Sequence, residues 1–301
     1  NKLPNQKKLN SYEIVYLSPG INIKKIYANG EFNKIAYLTD IDIFFKEDNS
    51  YKIGITGTNG KSTCCYHLHQ LLEESQLVGN IGAPVLDNIN SCRYSIIELS
   101  SFQLEKIKEI QLDFGVLLNI SPDHIDHHVN FEEYKKVKNK IKESKKTTEE
   151  SDPRKLWSMI TGRPQRLVQD IQLKDLPHRH QYIVTRDKMV FINDSKATNL
   201  TALKFALNKM SNPYVLILCG DPDKEQYESY EIEGPTKVYI FGNHAEEISR
   251  KIFHPAKILF HNQGLSSVMG SILKEKYNSQ THILFSPGHP SGQDYKNFEE
   301  R

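Results

Sequence analysis

The sequence predicts an α/β protein built from parallel sheets covered by helices, and three observations carry that reading. Short runs rich in β-branched and aromatic residues alternate with helix-period patterns along most of the chain. A glycine-rich loop stands between a buried-type strand and a helix. Polar clusters recur just after strands, which is where open α/β sheets bind their ligands. The 301 residues suffice for two or three domains of roughly 100–150 residues each. With 39 Lys and Arg against 37 Asp and Glu, the net charge is only +2. No basic excess drives binding to nucleic acid by counterion release. Cys64, Cys65, Cys92 and Cys219 form no CxxC pair, and residues 1–10 lack the apolar stretch of a signal peptide. A reducing, cytoplasmic setting follows as the expectation. Apolar runs such as Val215–Cys219 fall far short of the ~20 residues that span a bilayer.

In chain order, strands are expected near Ile14–Leu17, Ile35–Leu38, Lys52–Thr56, Tyr94–Leu99, Phe114–Ile120, Val190–Asn193, Tyr214–Cys219, Lys237–Phe241 and His282–Phe285. Helices are expected near Lys61–Ser75, Phe131–Lys145, Thr198–Met210, Ala245–Lys251 and Leu265–Lys276. The polar stretch Lys145–Asp152 has no apolar periodicity and reads as a linker. Three parts result: a leader over 1–50, a nucleotide-type domain over 51–177 and a C-terminal α/β domain over 178–301. The first two look short for complete domains, because a layer of two strands buries too little surface to stand alone.

Lys52-Ile53-Gly54-Ile55-Thr56 reads as a buried strand, and it runs into Gly57-Thr58-Asn59-Gly60-Lys61-Ser62-Thr63 and then a helix. Such an order cradles phosphate: glycines let backbone N–H groups approach the anion, and the helix N-terminus adds a favourable dipole. Lys61 would reach the outer phosphates and Ser62 would offer its hydroxyl to Mg²⁺. A glycine turn with a chance GKS is the competing reading. The standard spacing would put glycine at position 55, where this chain has Ile55.

The strand Tyr94–Ile97 delivers Glu98 beside that loop, a hard carboxylate suited to Mg²⁺ or a simple helix N-terminal acid. The next strand leads into Ser121-Pro122-Asp123-His124-Ile125-Asp126-His127-His128. Three histidines and two aspartates leave zinc open as an alternative, although a phosphate loop one strand away favours magnesium and singles out His124. Lys138 shares a helical stripe with Tyr134, Val137 and Ile141. A lysine on an apolar face either snorkels or has a special partner.

Polar side chains crowd the turn Asn193-Asp194-Ser195-Lys196-Ala197-Thr198-Asn199, far more than one helix cap requires. Leu176-Pro177-His178-Arg179 precedes it; Gly220-Asp221-Pro222-Asp223-Lys224 and Ser286-Pro287-Gly288-His289-Pro290-Ser291 follow, each after a strand. All are expected at one edge of the C-terminal sheet.

Taken together, these segments resemble the Mur ligase family. The likeness runs in order through Ser18-Pro19-Gly20, TGTNGKST at 56–63, GNIG at 79–82, ELSSFQLE at 98–105, Asp123-His124, LPHR at 176–179, NDSKATN at 193–199 and NFEER at 297–301. The loop alone would fit the wider group that includes folylpolyglutamate synthases. ELSSFQLE with NDSKATN and NFEER points to the D-glutamate-adding branch, with another ligase of the fold or a non-catalytic homologue as alternatives. The resemblance implies three domains: a Rossmann-like N-terminal part, a central P-loop ATPase-type parallel sheet and a Rossmann-like C-terminal domain. It also implies a cytoplasmic enzyme, acting as a monomer without nucleic acid or membrane. Such an enzyme joins D-glutamate to UDP-N-acetylmuramoyl-L-alanine in peptidoglycan precursor synthesis, using ATP and two Mg²⁺ ions.

Carried over by position, Gly57, Thr58, Asn59, Gly60, Lys61, Ser62 and Thr63 form the ATP loop. Ser62 and Glu98 stand at the first Mg²⁺. His124 and Lys138 stand at the second, with Lys138 matching a lysine that family members carry as a carbamate. Ser18, Pro19, Gly20 and Asn80 match the UDP-substrate side, while Arg179 and Asp194 match ATP contacts. Lys196, Thr198, Lys224, Ser291 and Phe298 match the region receiving D-glutamate and the reacting intermediate. Against the family pattern, a glycine turn before Ser18 and an Asn-bearing helix between Lys145 and Leu176 are not found. Gly288-His289-Pro290 and Gly292-Gln293-Asp294 also differ from the family's smaller and more apolar residues there.

Overall fold

The computed structural model describes residues 11–21, 36–185, 189–222, 229–275, 277 and 280–301, without the side chains of residues 125 and 126. The chain divides into two compact units, Asn1–Lys174 and Asp175–Arg301. In the first, five strands lie in the order Ser75–Gly79, Tyr94–Glu98, Tyr51–Thr56, Phe114–Leu117, Lys146–Thr148, all parallel. Burial on both faces explains their continuous apolar runs. Ile97 belongs to a core with Ile41, Phe44, Val78, Leu104 and Ile141. Its neighbour Ile96 belongs to another with Ile53, Ile55, Leu68, Phe114 and Trp157. Adjacent residues of a strand thus serve opposite faces, as a period of two requires.

The second unit holds six strands in the order Lys257–His261, Lys237–Gly242, Tyr214–Cys219, His282–Gly288, Val190–Asn193, Gln181–Val184. All neighbours are parallel except the last pair. Here too the two faces separate by alternation, with Leu216 and Leu218 in one core and Val215, Ile217 and Cys219 in the other. Among the described residues, no helix is long and apolar enough to cross a membrane.

Several expectations change in detail. The stretch read as a linker contains the edge strand Lys146–Thr148, which pairs with Phe114–Val116. An edge strand with one covered face can be polar, which hid it from a hydrophobic pattern. The helix expected over Lys61–Ser75 stops at Leu71, and the chain turns at Glu74 (φ 52°) into the strand Ser75–Gly79. The strand expected to Ile120 ends at Leu117. Helices Asp40–Glu47, Ser101–Lys106 and Pro153–Thr161 were not expected. Each starts at a capping residue: Thr39 and Ser100 form capping boxes with Asp42 and Gln103, and Asp152 caps a first turn that begins with proline. Helix Asp40–Glu47 lies within the stretch 1–50 that the sequence sets apart as a leader, yet its Ile41, Phe44 and Phe45 pack in the core of the first sheet. In the leader, Val15–Tyr16 pairs with Tyr37–Leu38 in parallel.

One packing detail positions the candidate site. Gly54 and Gly115 lie opposite each other in neighbouring strands. A Cβ on Gly54 would stand 3.0 Å from Ile141 Cδ1, and one on Gly115 would stand 2.7 Å from the Ile141 carbonyl oxygen. The paired glycines form a dent that receives the 3₁₀ turn Lys140–Glu143, and so draw the preceding helix Phe131–Asn139 onto the sheet. Gly115→Ala should cost about 1–3 kcal/mol through overpacking against rigid backbone. Thermal unfolding reads this; an unchanged midpoint would show that the turn can retreat freely.

Candidate active site

The strand Tyr51–Thr56 ends in the glycine loop, where Gly60 takes a left-handed φ of 84° and serves as N-cap of the helix Lys61–Leu71. It provides no side-chain cap, and the helix dipole directs its positive end at the loop, which favours an anion there. The loop is braced from the neighbouring strand exit. Thr58 N–H donates to Asn119 O (2.8 Å), Asn59 N–H donates to Asn119 Oδ1 (2.9 Å), and Asn119 Nδ2 donates back to Asn59 O (2.9 Å). The Thr58 hydroxyl bonds Ser121 O and the Tyr134 hydroxyl. Lys61 Nζ donates to Gly57 O and Thr58 O, each at 2.8 Å, which holds its ammonium against the loop. Ser62 is buried in the first helical turn and Thr63 half-buried beside it.

Lys138 comes up against the same loop. It is 1% exposed, and its Nζ donates to Thr56 Oγ1 (2.9 Å) and Gly57 O (3.0 Å). Its sequence stripe therefore resolves as a buried lysine with partners. Burial lowers its pKa well below the usual lysine range, and the nearby Lys61 charge lowers it further. Glu98 is likewise 1% exposed at the end of the adjacent strand. Its Oε1 accepts from Asn80 Nδ2 (2.7 Å), while its Oε2 is buried with no hydrogen-bond partner among the described residues. A buried carboxylate oxygen in that condition is an apt ligand for a hard cation. Asn80, expected on the UDP-substrate side, thus meets Glu98 directly.

His124 sits at φ 51° ahead of the short helix Ile125–His128. Its Nε2 stands 3.6 Å from Asp123 Oδ2, and its ring packs on Phe102. Asp123 and Glu98 both act electrostatically on Lys138, so these groups share one neighbourhood. Ser18-Pro19-Gly20 follows the first leader strand, and the Pro19 carbonyl accepts from buried Lys106 (2.5 Å). Sequence reasoning missed Thr56, Asn119, Tyr134 and Lys106. Asn119 had a signal available, as an amide at the exit of the strand beside the loop. Lys106 had none, because the contact that draws it to the leader is a backbone carbonyl distant in sequence, Pro19 O.

In the second unit, Asp194 directly follows the strand Val190–Asn193 and accepts from Ser286 Oγ (2.9 Å) and His180 N–H (2.9 Å). Burial raises its pKa to about 6, against the opposing effect of those bonds. Lys196 N–H donates to His178 O, and its Nζ lies 3.8 Å from the centre of the Phe298 ring. Ser195 Oγ donates to Phe298 O (2.7 Å). Arg301, missed from sequence, is buried and ties this turn to the next: its guanidinium donates to Ser195 O (2.5 Å) and His289 O (3.0 Å). Arg179 stands immediately before His180, with its N–H on Leu176 O. Thr198 and Ser291 are half-buried on the same two turns, and Asn199 caps the helix Leu200–Asn208. Lys224 lies outside the described residues.

A family model described as the Mur ligase middle domain matches residues 55–151. The chain is 30% identical to the UDP-N-acetylmuramoylalanine--D-glutamate ligase of Francisella tularensis subsp. tularensis (strain FSC 198), over 97% of this chain and 84% of the relative. Identity to the enzyme of the same name from Francisella tularensis subsp. novicida (strain U112) is also 30%, at the same coverage. The first alignment runs over 352 residues against a chain of 301, so the relative carries internal stretches without counterpart here. Among solved structures, MurF ligase from Thermotoga maritima in complex with ADP superposes with a TM-score of 0.58 at 13% identity, covering 81% of this chain and 78% of that one. A pseudomurein peptide ligase type C from Methanothermus fervidus gives 0.56 at 14%, covering 95% and 86%. At such identities the likeness shows the fold.

Asp194 yields a pH prediction. Its folded pKa of about 6 exceeds the ordinary 3.8. Stability from this group is therefore fully present below the unfolded value and is lost as pH rises through about 6. Thermal midpoints of wild type and Asp194→Asn should diverge between acidic and neutral buffer, the wild type losing relative stability as pH rises. Parallel curves would contradict the assignment.

Proposed function

The chain belongs to the Mur ligase family, among the UDP-N-acetylmuramoylalanine--D-glutamate ligases its curated relatives represent, and on that premise we propose that it couples ATP hydrolysis to amide formation. D-Glutamate would be joined to UDP-N-acetylmuramoyl-L-alanine in peptidoglycan precursor synthesis, in the cytoplasm and by a single chain. One observation carries the catalytic reading: buried Lys138 and buried Glu98 stand together at a phosphate loop whose lysine faces its own carbonyls.

A carboxylate acylates amines poorly because its leaving oxygen is a bad one. Phosphoryl transfer from ATP converts it to an acyl phosphate; the D-glutamate amine attacks the carbonyl carbon, and the tetrahedral intermediate expels phosphate. Positioning and charge neutralisation dominate such catalysis. In this assignment the N–H groups of Gly57–Thr63 and the helix N-terminus hold the phosphates, and Lys61 offsets their charge. The donor set fits Mg²⁺: Glu98 offers an unpartnered oxygen and Ser62 a hydroxyl, with His124 at a second position. Bound there, Mg²⁺ would neutralise charge on the transferring group.

Lys138 cannot serve a cation as an ammonium. As the neutral amine that burial favours, it can add to CO₂, forming an N–C bond and releasing a proton. The resulting carbamate would supply carboxylate oxygens to the second ion. Ser18, Pro19, Gly20 and Asn80 are assigned to the UDP-linked substrate. In the second unit, Arg179 and Asp194 are assigned to ATP, and Lys196, Thr198, Ser291 and Phe298 to D-glutamate and the intermediate. Lys224 keeps the same assignment from sequence alone.

Sustained ADP release over many turnovers should require UDP-N-acetylmuramoyl-L-alanine and D-glutamate together, with L-glutamate inert. Turnover on a folate substrate and none on the UDP-linked one would replace this reading with another ligase of the fold. Lys138→Ala should lose about 10²-fold or more in turnover, the scale for removing a group that stabilises transition-state charge. Short carboxylic acids should restore part of it by filling the vacated volume with a carboxylate. Full activity of that variant without such rescue would remove the carbamate from the mechanism.

A further inference from the structure

The three histidines after the strand Phe114–Leu117 do not act as one group. His124 belongs with Asp123 at the phosphate loop. His127 and His128 turn instead toward the helix Ser101–Lys106, where Glu105 waits. One donor atom each from Glu105, His127 and His128 lies within 4.8 Å of the others. His127 Nε2 and Glu105 Oε2 are already 2.8 Å apart. His128 is 2% exposed, and its Nε2 is buried with no hydrogen-bond partner among the described residues. A buried imidazole nitrogen left in that condition calls for an explanation, and a ligand supplies one.

We propose that Glu105, His127 and His128 form a binding site for a divalent transition-metal ion of the zinc class, separate from the magnesium positions at the phosphate loop. Two imidazoles and one carboxylate are a donor set for zinc or its neighbours, not for magnesium, which prefers oxygen. Donors on a tetrahedral ion lie about 3.3 Å apart, given metal–ligand distances near 2.0–2.1 Å. The 2.8 Å pair must therefore open slightly and the most distant pair must close. The ion takes the place of the proton shared between His127 and Glu105, and that proton leaves to solvent. Burial pushes His128 down to about 4, so its ring is already neutral and able to ligate near pH 7.

The surroundings favour a fixed geometry. The Phe102 ring packs against His127 (4.5 Å between centroids) and His128 (5.8 Å), and it also touches His124 (5.0 Å). Lys106 opposes the ion electrostatically, with Nζ 3.8 Å from Glu105 Oε2. Its hydrogen bonds to Pro19 O and Phe102 O direct it toward carbonyls, and burial lowers its pKa. An occupied site would cross-link helix Ser101–Lys106 to the segment carrying His124, and so fix the position of that residue. The inference stands independently of the substrate assigned to the enzyme.

Cobalt(II) titration of the full chain, without nucleotide or magnesium, tests it. One equivalent should bind with the visible ligand-field absorption of a low-coordinate nitrogen–oxygen site, and Zn²⁺ should displace it. His127→Gln and Glu105→Gln should each weaken binding by more than about tenfold, while Glu98→Gln should leave it unchanged. On the wild-type chain alone, X-ray absorption at the bound ion should find two imidazoles. An oxygen-only shell, binding undiminished in His127→Gln, or binding lost in Glu98→Gln would each overturn the proposal. So would the absence of stoichiometric binding.

Discussion

The amine of Lys138, held with 1% exposure against Thr56 Oγ1 and Gly57 O, is the constraint on which the first unit turns. A buried ammonium beside another cation is costly, and that cost shifts Lys138 toward its neutral form. Its position depends on backbone well away from the loop. Gly54 and Gly115, abreast in the sheet, admit Ile141 and bring helix Phe131–Asn139 close enough for Lys138 to reach under the loop. Tyr134, one turn earlier, bonds Thr58 from the same helix. Loop, helix and sheet therefore hold one another in register.

The parallel architecture was legible because both faces of each sheet are covered, which leaves central strands as unbroken apolar runs. Val190–Asn193 and Tyr214–Cys219 were located to the residue. Edge strands such as Lys146–Thr148 escaped because polar residues suffice at a sheet margin. The short helices at Asp40 and Ser101 escaped because their capping boxes, although written in the sequence, open runs of only 8 and 6 residues.

Site chemistry was legible where a residue type is unusual for its place. Lys138 on an apolar stripe and the glycine loop before a helix are of that kind. The pairing of distant segments could not be read from the sequence, even where a residue such as Asn119 stood at a telling place. Asn119 bracing Asn59, Asn80 on Glu98, and Arg301 linking Ser195 to His289 are all set by which strands become neighbours. The histidine cluster shows the same limit: all three rings gather about Phe102, but only His127 and His128 bring donor atoms together with Glu105. Two of the three motif-rich turns of the second unit, at Ser195 and His289, are likewise joined through Arg301, a residue the sequence offered only as the end of NFEER.

The central claim is that the burial of Lys138 prepares it to carry a carboxylate made from CO₂. Carbon-13 NMR of the full chain in ¹³C-bicarbonate tests it most directly. The account predicts one protein-bound carbamate resonance that disappears in Lys138→Ala. A catalytically active wild type with no such resonance, or a resonance that survives in the variant, would contradict it.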